Sequence, residues 1–184
     1  MRESAVRPIG VERRFDDDEI IVSKTDDAGR LTYVNDTFVR VSAYSEEFLL
    51  GKPHNIIRHP DMPRCVFKLL WDTIKGGDEL FAYIVNLAGD GQHYWVFAHV
   101  TPTFASNGAI IGYHSNRRTA PPQALARIEP IYRRLLDEER RHTRPADAVA
   151  ASTAMLEAVV REHAPTYDEF VWSLEPEAIE AGQH

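Results

Sequence analysis

The sequence predicts an α+β fold, in which two strands, several short helices and one longer helix precede three antiparallel strands. Hairpin turn residues join stretches rich in β-branched and aromatic side chains, and between these stretches apolar residues recur at helical spacing. We expect residues 1–19 to form an N-terminal arm, residues 20–119 to form the main domain with all five strands, and residues 120–184 to form a C-terminal helical extension.

Five stretches have strand character. The first two lie near Ile20–Lys24 and Leu31–Val34, and the last three near Leu80–Leu87, Gln92–Phe104 and Ala109–Arg117. Turns rich in Asp, Asn and Gly separate the strands within each group, and such residues supply the backbone geometry of hairpins. The pattern therefore indicates antiparallel pairing within each group.

The helices between these groups are marked by capping residues. Asn35 or Asp36 is expected to cap the first short helix, and Ser45 the second. The longer helix reads RCVFKLLWDTIKGG, with Asp61 as its predicted cap and Pro63 in its first turn.

Two helices are predicted beyond residue 120. The segment QALARIEPIYRRLLDEERR is amphipathic, and Pro130 is expected to kink or restart it. A second helix is expected near Ala146–His163, followed by aromatic residues that dock elsewhere and an acidic tail. The apolar helix faces can pack on their own sheet or on a second copy, and we favour a homodimer.

Composition argues against several functions. The net charge is −7, and neither the first 119 residues nor the remainder is basic, which disfavours nucleic acid and anionic lipid as partners. No run approaches the ~20 apolar residues of a membrane span, and no signal peptide opens the chain, so we expect a cytoplasmic protein. The single cysteine, Cys65, is expected to be a buried structural residue. No catalytic constellation is evident, so we do not expect an enzyme.

Several segments resemble the PAS family, and within it the FAD-binding branch found in aerotaxis receptors. They are NDTFVRVSAYSEEFLLGKPHNIIRHPDMP, LWDTIKGG, GDGQHYWVFAHVTP and IIGYHSNR. The resemblance implies a five-stranded antiparallel sheet with short helices on one face and FAD held non-covalently between them. It also implies that redox, oxygen or energy status is sensed and relayed to a separate signalling protein, such as a chemoreceptor or kinase. Haem, which some PAS domains bind through histidine, is less favoured because the matched motif belongs to the flavin branch.

Ten residues are predicted to contact the cofactor or to shape its pocket. Loop residues offer donors, a cation and an acceptor, aromatic residues offer flat walls, and Asn86 matches the family position that hydrogen-bonds the flavin ring. The full set is His54, Asn55, Arg58, His59, Asp61, Trp71, Phe81, Tyr83, Asn86 and Trp95. Structural alternatives stay open: the loop residues can cap the long helix, Trp71 can belong to the core, and the face on which Trp95 lies is undetermined.

Two departures from the family pattern support an alternative function. Leu80 stands where the family has a tryptophan, and Asn86 is followed by Leu-Ala-Gly where the family has basic residues. Phe81 or Tyr83 is expected to replace the missing aromatic wall. The alternative is a cofactor-free PAS module that mediates protein interaction or dimerisation.

Overall fold

The computed structural model describes residues 6–175. Its five strands are β1 (Ile21–Asp26), β2 (Leu31–Val34), β3 (Leu80–Leu87), β4 (His93–Phe104) and β5 (Ile110–Thr119). They form one antiparallel sheet in the order β2-β1-β5-β4-β3. The predicted α+β fold with a five-stranded antiparallel sheet is therefore confirmed.

Short helices cover one face of the sheet, which we call the inner face. They are α1 (Asp36–Ser42), α2 (Glu46–Leu49), a 3₁₀ turn at His54–Ile57, and α3 (Arg64–Gly76). Asn35, one of the two predicted caps, accepts a hydrogen bond from the Phe38 amide at 3.1 Å and another from the Val22 amide at 2.9 Å. One carboxamide thus caps α1 and ties it to β1.

Helix α3 begins differently from the prediction. Asp61 does not cap it, because it lies two residues before the cap position, which is occupied by Pro63. Instead Glu139, from the C-terminal helices, accepts hydrogen bonds from the amides of Arg64 at 2.7 Å and Cys65 at 3.2 Å. Cys65 is buried as expected, and burial raises the pKa of its thiol to about 11.

Three C-terminal helices follow the sheet: α4 (Pro122–Arg140), α5 (Pro145–His163) and α6 (Tyr167–Ser173). Helices α4 and α6 pack on the opposite, outer face of the sheet. There the Tyr132 hydroxyl donates to the Tyr83 carbonyl at 2.7 Å, and the ring of Trp172 lies 4.9 Å from that of Phe81. Helix α5 packs on α3 and α4. These helices therefore bury apolar surface within their own chain, while the homodimer stays a prediction.

Helix α4 runs through Pro130 without restarting, contrary to one of the two expectations. Pro130 is exposed, as is Ala126 four residues earlier, whose carbonyl loses its helical donor. Water can hydrate that carbonyl on the exposed side, so the helix tolerates a proline, which has no backbone N–H, at this position.

The described part of the N-terminal arm lies against the start of β4. The amides of Ile9 and Arg13 donate to the carbonyls of Gly91 and His93 at 2.9 and 2.7 Å, and the His93 amide donates to Val11. The first five residues of the predicted arm and the acidic tail, residues 176–184, lie outside the described residues. Within residues 6–175, no helix combines the length and hydrophobicity needed to cross a bilayer.

Candidate functional site

A cavity of about 250 Å³ lies between the inner face of the sheet and the helices that cover it. Its sheet wall is formed by residues of β1, β3, β4 and β5 that alternate along each strand: Ser23, Thr25, Ile84, Asn86, Ala98, Val100, Tyr113, Ser115 and Arg117. Its other wall is formed by the 3₁₀ turn and one side of α3: His54, Asn55, Ile57, Arg58, Phe67, Lys68, Leu70, Trp71 and Ile74. The space between sheet and helices is thus open rather than filled by bulky side chains.

Five of the ten predicted site residues line this cavity: His54, Asn55, Arg58, Trp71 and Asn86. The loop and the sheet are joined here, because Arg58 and Asn86 pair as an antiparallel bridge through their backbones. Asn86 is 4 % exposed, and no hydrogen bond engages its side chain among residues 6–175. A buried carboxamide with free donors and an acceptor is suited to hydrogen-bond a bound ring.

His54 belongs to a buried polar chain at one end of the cavity. The Ser23 hydroxyl accepts a hydrogen bond from the Arg117 guanidinium and lies 3.1 Å from His54 Nε2. Burial, together with the neighbouring Arg117 charge, lowers the pKa of His54 to about 3. His54 is therefore neutral at physiological pH, and its Nε2 shares a hydrogen bond with the Ser23 hydroxyl.

Trp71 supplies a flat aromatic wall. It is half-buried, and its ring meets that of Tyr113 edge-on at a centroid distance of 5.5 Å. Gly29 makes this placement possible, since a Cβ there would lie 2.8 Å from Cη2 of Trp71. Trp71 thus lines the cavity while it packs against Gly29 and Tyr113.

Three predicted site residues lie on the other face of the sheet, so the expectation that they wall the pocket is wrong. Phe81 and Tyr83 pack with Phe97 at ring distances of 5.8 and 4.8 Å, and Trp95 packs with Tyr132 at 6.2 Å. Side chains alternate between faces along a strand, so Asn86 on the inner face places Phe81 and Tyr83 on the outer one. Neither of these two residues replaces the aromatic wall.

His59 and Asp61 also lie outside the cavity. They line a separate groove beside His93, where the Asp61 amide donates to His59 Nδ1 at 3.1 Å and the two imidazole rings are 5.9 Å apart. Burial lowers the pKa of His59, and the Asp61 charge opposes that shift. The loop that carries five predicted residues therefore divides them between two sites.

Sequence reasoning missed several cavity residues, of which Arg117 is the most unusual. It is 2 % exposed, its guanidinium lies 4.8 Å above the Phe38 ring, and Nε and Nη1 have no hydrogen-bond partner among the described residues. The alternation of Tyr113, Ser115 and Arg117 along β5 is a signal that could have located it, but arginine is usually exposed, so the residue type argued against an inner face.

The cavity residues fit a flavin. Drug-sized ligands occupy pockets of ~300–1,000 Å³, and this cavity of about 250 Å³ lies just below that range, so a whole FAD molecule would extend beyond it. Apolar side chains of Leu70, Ile74 and Ile84 provide walls, and Asn86 provides ring hydrogen bonds. Arg58 and Lys68 offer cations for a phosphate-bearing tail, in place of the basic residues missing after Asn86.

Residues 31–117 match a family model described as the PAS fold, and together with the strand order this identifies a PAS domain. The chain is 42 % identical over 119 residues to the aerotaxis receptor of Escherichia coli (strain K12), a match covering 65 % of this chain and 23 % of the receptor. It is 27 % identical over 99 residues to a nitrogen fixation regulatory protein of Klebsiella pneumoniae, covering 54 % of this chain and 20 % of that protein. The chain thus spans less than a quarter of either relative.

Solved structures show the same fold. The dark structure of the blue-light photoreceptor Aureochrome1 LOV domain matches with a TM-score of 0.51 at 22 % identity, over 65 % of this chain and 84 % of that one. A light-oxygen-voltage domain studied with a flavin analogue matches with a TM-score of 0.54 at 12 % identity, over 62 % of this chain and 86 % of that one. The predicted PAS domain, with similarity to the aerotaxis receptor, is confirmed.

Proposed function

We propose that this protein is a cytoplasmic, non-enzymatic sensor whose PAS domain binds FAD without a covalent bond. It senses redox state, which can report oxygen or energy status, and it relays the change to a signalling partner such as a chemoreceptor or kinase. The observation that carries the proposal is the open cavity with a buried, unpaired Asn86 carboxamide facing apolar walls. The similarity to the aerotaxis receptor supports the same conclusion.

The cofactor ring would lie between α3 and the sheet, with Trp71 at one wall. Asn86 would hydrogen-bond the polar edge of the ring, and Asn55, which is exposed beside the cavity, would contact the part of the cofactor nearest solvent. Arg58 keeps its guanidinium at the cavity by donating to the Met62 carbonyl at 3.3 Å and lying 4.4 Å over the Phe67 ring. When bound, the flavin supplies reversible electron transfer, and these residues orient it and limit water access.

The relay would pass from α3 to the C-terminal helices. One side of α3 forms a cavity wall, while its first amides are held by Glu139 of α4. Glu139 also accepts from the Ser152 hydroxyl of α5 at 3.0 Å. A shift of α3 on flavin reduction would therefore disturb one carboxylate that joins three helices.

The assembly of the sensor is part of the same proposal. We expect a homodimer in addition to contact with the signalling partner. Sedimentation or light scattering across a concentration series would show twice the mass of 20.9 kDa. A mass that stays at the monomer value at high concentration would contradict the dimer.

The main alternative is a cofactor-free interaction module. Leu80, which replaces the family tryptophan, is 3 % exposed within the core. Gly89, at the turn where the family has basic residues, is so close to the Ala43 carbonyl that a Cβ would lie 2.9 Å from it. Leu80 thus belongs to the core and Gly89 has no room for a side chain, and the loss of both family features favours the alternative.

An absorbance spectrum separates the two functions. Protein purified and then incubated with FAD should show flavin bands that bleach on reduction, in about one equivalent per chain. Ala98 lines the cavity and is 1 % exposed, so Ala98→Leu should fill space and reduce FAD uptake. Phe81→Ala, on the outer face, is the matched control and should keep it. Colourless wild-type protein after reconstitution would support the cofactor-free module.

A further inference from the structure

The charges around the cavity are one-sided. Its eighteen lining residues include three basic ones, Arg58, Lys68 and Arg117, and no aspartate or glutamate. This differs from the chain as a whole, whose net charge is −7. Lys68 pairs with Asp72 at the surface, so part of its charge is balanced. The cavity is thus a basic site within an acidic protein.

Arg117 is the deepest of these cations. Its guanidinium makes one hydrogen bond, to Ser23, and forms no salt bridge with any carboxylate in the described part of the chain. The buried hydroxyl of Tyr94 beside it also has no hydrogen-bond partner there. Burial lowers the pKa of Arg117 to about 10, which still leaves it charged at neutral pH. A buried, unpaired charge is costly for the folded state, so an oppositely charged ligand would relieve that cost.

We propose that Arg117 makes the cavity favour the negatively charged, reduced form of its flavin, and that this residue thereby raises the reduction potential of the site. The proposal rests on the proposed function, because it requires a flavin in the cavity. An external two-electron donor, dithionite in the assay, gives the ring two electrons, and solvent gives one proton that forms the N5–H bond. The ring then carries one negative charge.

The effect follows from differential binding. The oxidised ring is neutral and gains little from a nearby cation, whereas the reduced ring gains a full Coulomb attraction in a site of low dielectric. Arg117 does not need to contact the ring directly, because an unscreened charge acts across several ångströms. A residue that binds one redox state more tightly shifts the potential by the ratio of the two affinities.

Neighbouring Arg118 offers a matched control. It follows Arg117 on β5 but points to the outer face, where it lies 4.8 Å over the Phe97 ring and 3.3 Å from Glu175. Arg117 and Arg118 are adjacent on the same strand, and replacing either one removes one positive charge. Only the inner one is expected to affect the flavin.

The experiment compares the midpoint potentials of wild type, Arg117→Met, Arg117→Lys and Arg118→Met, each saturated with FAD and titrated with dithionite against a reference dye. Arg117→Met should lower the affinity for reduced relative to oxidised flavin at least tenfold, which is about 30 mV for a two-electron couple. Arg117→Lys should keep most of the wild-type potential, and Arg118→Met should keep all of it.

A second measurement does not depend on the flavin. Apo Arg117→Met should melt at or above the wild-type temperature, because the substitution removes a buried unpaired charge. A clearly lower melting temperature would show that Arg117 serves the fold and would contradict the proposal.

The remaining outcomes are separable. An unchanged potential in Arg117→Met with bound flavin, or an equal shift in Arg118→Met, would overturn the role of Arg117 alone. Failure of Arg117→Met to bind oxidised FAD at saturating concentration would also overturn it, since the neutral ring should bind regardless. Wild-type protein that takes up no flavin would instead remove the proposed function, and this inference with it.

Discussion

The two faces of the sheet differ in how their side chains are packed and in whether their buried polar groups have partners. The outer face packs Phe81, Tyr83 and Phe97 against Trp172 and Tyr132. The inner face keeps a cavity of about 250 Å³, and buried polar atoms of Arg117 and Tyr94 there have no hydrogen-bond partner among residues 6–175. Close packing stabilises the fold, whereas an open cavity with unsatisfied groups lowers stability in the absence of a ligand. Under the proposed function, the outer face holds the domain together and the inner face is kept for the ligand.

The largest expected effect is on the outer face. Phe97 is 3 % exposed and packs among several aromatic rings, so Phe97→Ala should lower the free energy of unfolding by about 3–5 kcal/mol. Ile84 borders the cavity, where truncation removes fewer packing contacts than in a filled core, so Ile84→Ala should cost less, about 2 kcal/mol. Urea unfolding of both variants without flavin tests this, and equal losses would remove the distinction between the faces.

The sequence predicted the sheet better than it predicted its faces. Turn residues and strand stretches located all five strands, because local backbone preferences determine them. The sequence of strand β3 does not alternate between polar and apolar residues, so it could not show which side chains face the cavity. Residues 82–87 are all buried, because one side of the strand faces the cavity and the other faces the C-terminal helices. Asn86 and Tyr83 nevertheless have opposite parity on one strand, so the sequence already excluded that both line one pocket.

The long-range contacts of the site were beyond local reasoning. Glu139 lies more than 70 residues from the helix start that it caps, and Arg117 is separated from its partner Ser23 by 94 positions. Neither contact leaves a local motif, because each depends on how the C-terminal helices and the sheet pack. Of the ten site residues proposed from the sequence, five line the cavity: three come from the loop, Trp71 from the aromatic side of the long helix, and Asn86 from the resemblance.

The second prediction concerns pH. His54 is neutral in the folded state because burial and the Arg117 charge lower its pKa to about 3, while an unfolded histidine titrates near 6.5. The unfolded state therefore binds an extra proton below about pH 6.5, and stability is lost as the pH falls through that window. Between pH 6.5 and 5 the loss attributable to His54 is at most about 2 kcal/mol.

Unfolding titrations at several pH values check this prediction. His54→Gln should lose less stability than wild type over the window, because the variant has no imidazole to protonate. His99→Gln, which removes an imidazole from the outer face beside Glu79, is the matched control. If the wild type and His54→Gln show the same pH dependence, His54 is not held neutral by the cavity.

The third prediction concerns the link between the two faces. Glu139→Ala should destabilise the protein by about 1 kcal/mol, as expected for the loss of a helix cap. Glu138→Ala is the control, since Glu138 bonds only Arg141 and His142 within its own segment of residues 138–142. Comparable losses in the two variants would show that the contact between α4 and α3 carries no particular weight.

The smallest effect on the fold is expected at Asn86, where the effect on the ligand should be clear. Its side chain makes no hydrogen bond within the described residues, so Asn86→Ala should leave the free energy of unfolding of the flavin-free protein nearly unchanged. Flavin binding should weaken by about 0.5–1.5 kcal/mol, the usual worth of one hydrogen bond.

Two measurements on the same Asn86→Ala sample decide the point: a urea unfolding curve without flavin and a fluorescence titration with FAD. Loss of stability without loss of affinity would place Asn86 among the structural residues. The opposite result would show that the inner face keeps polar groups unpaired for its ligand, because a residue retained for the fold cannot be removed without cost to the fold.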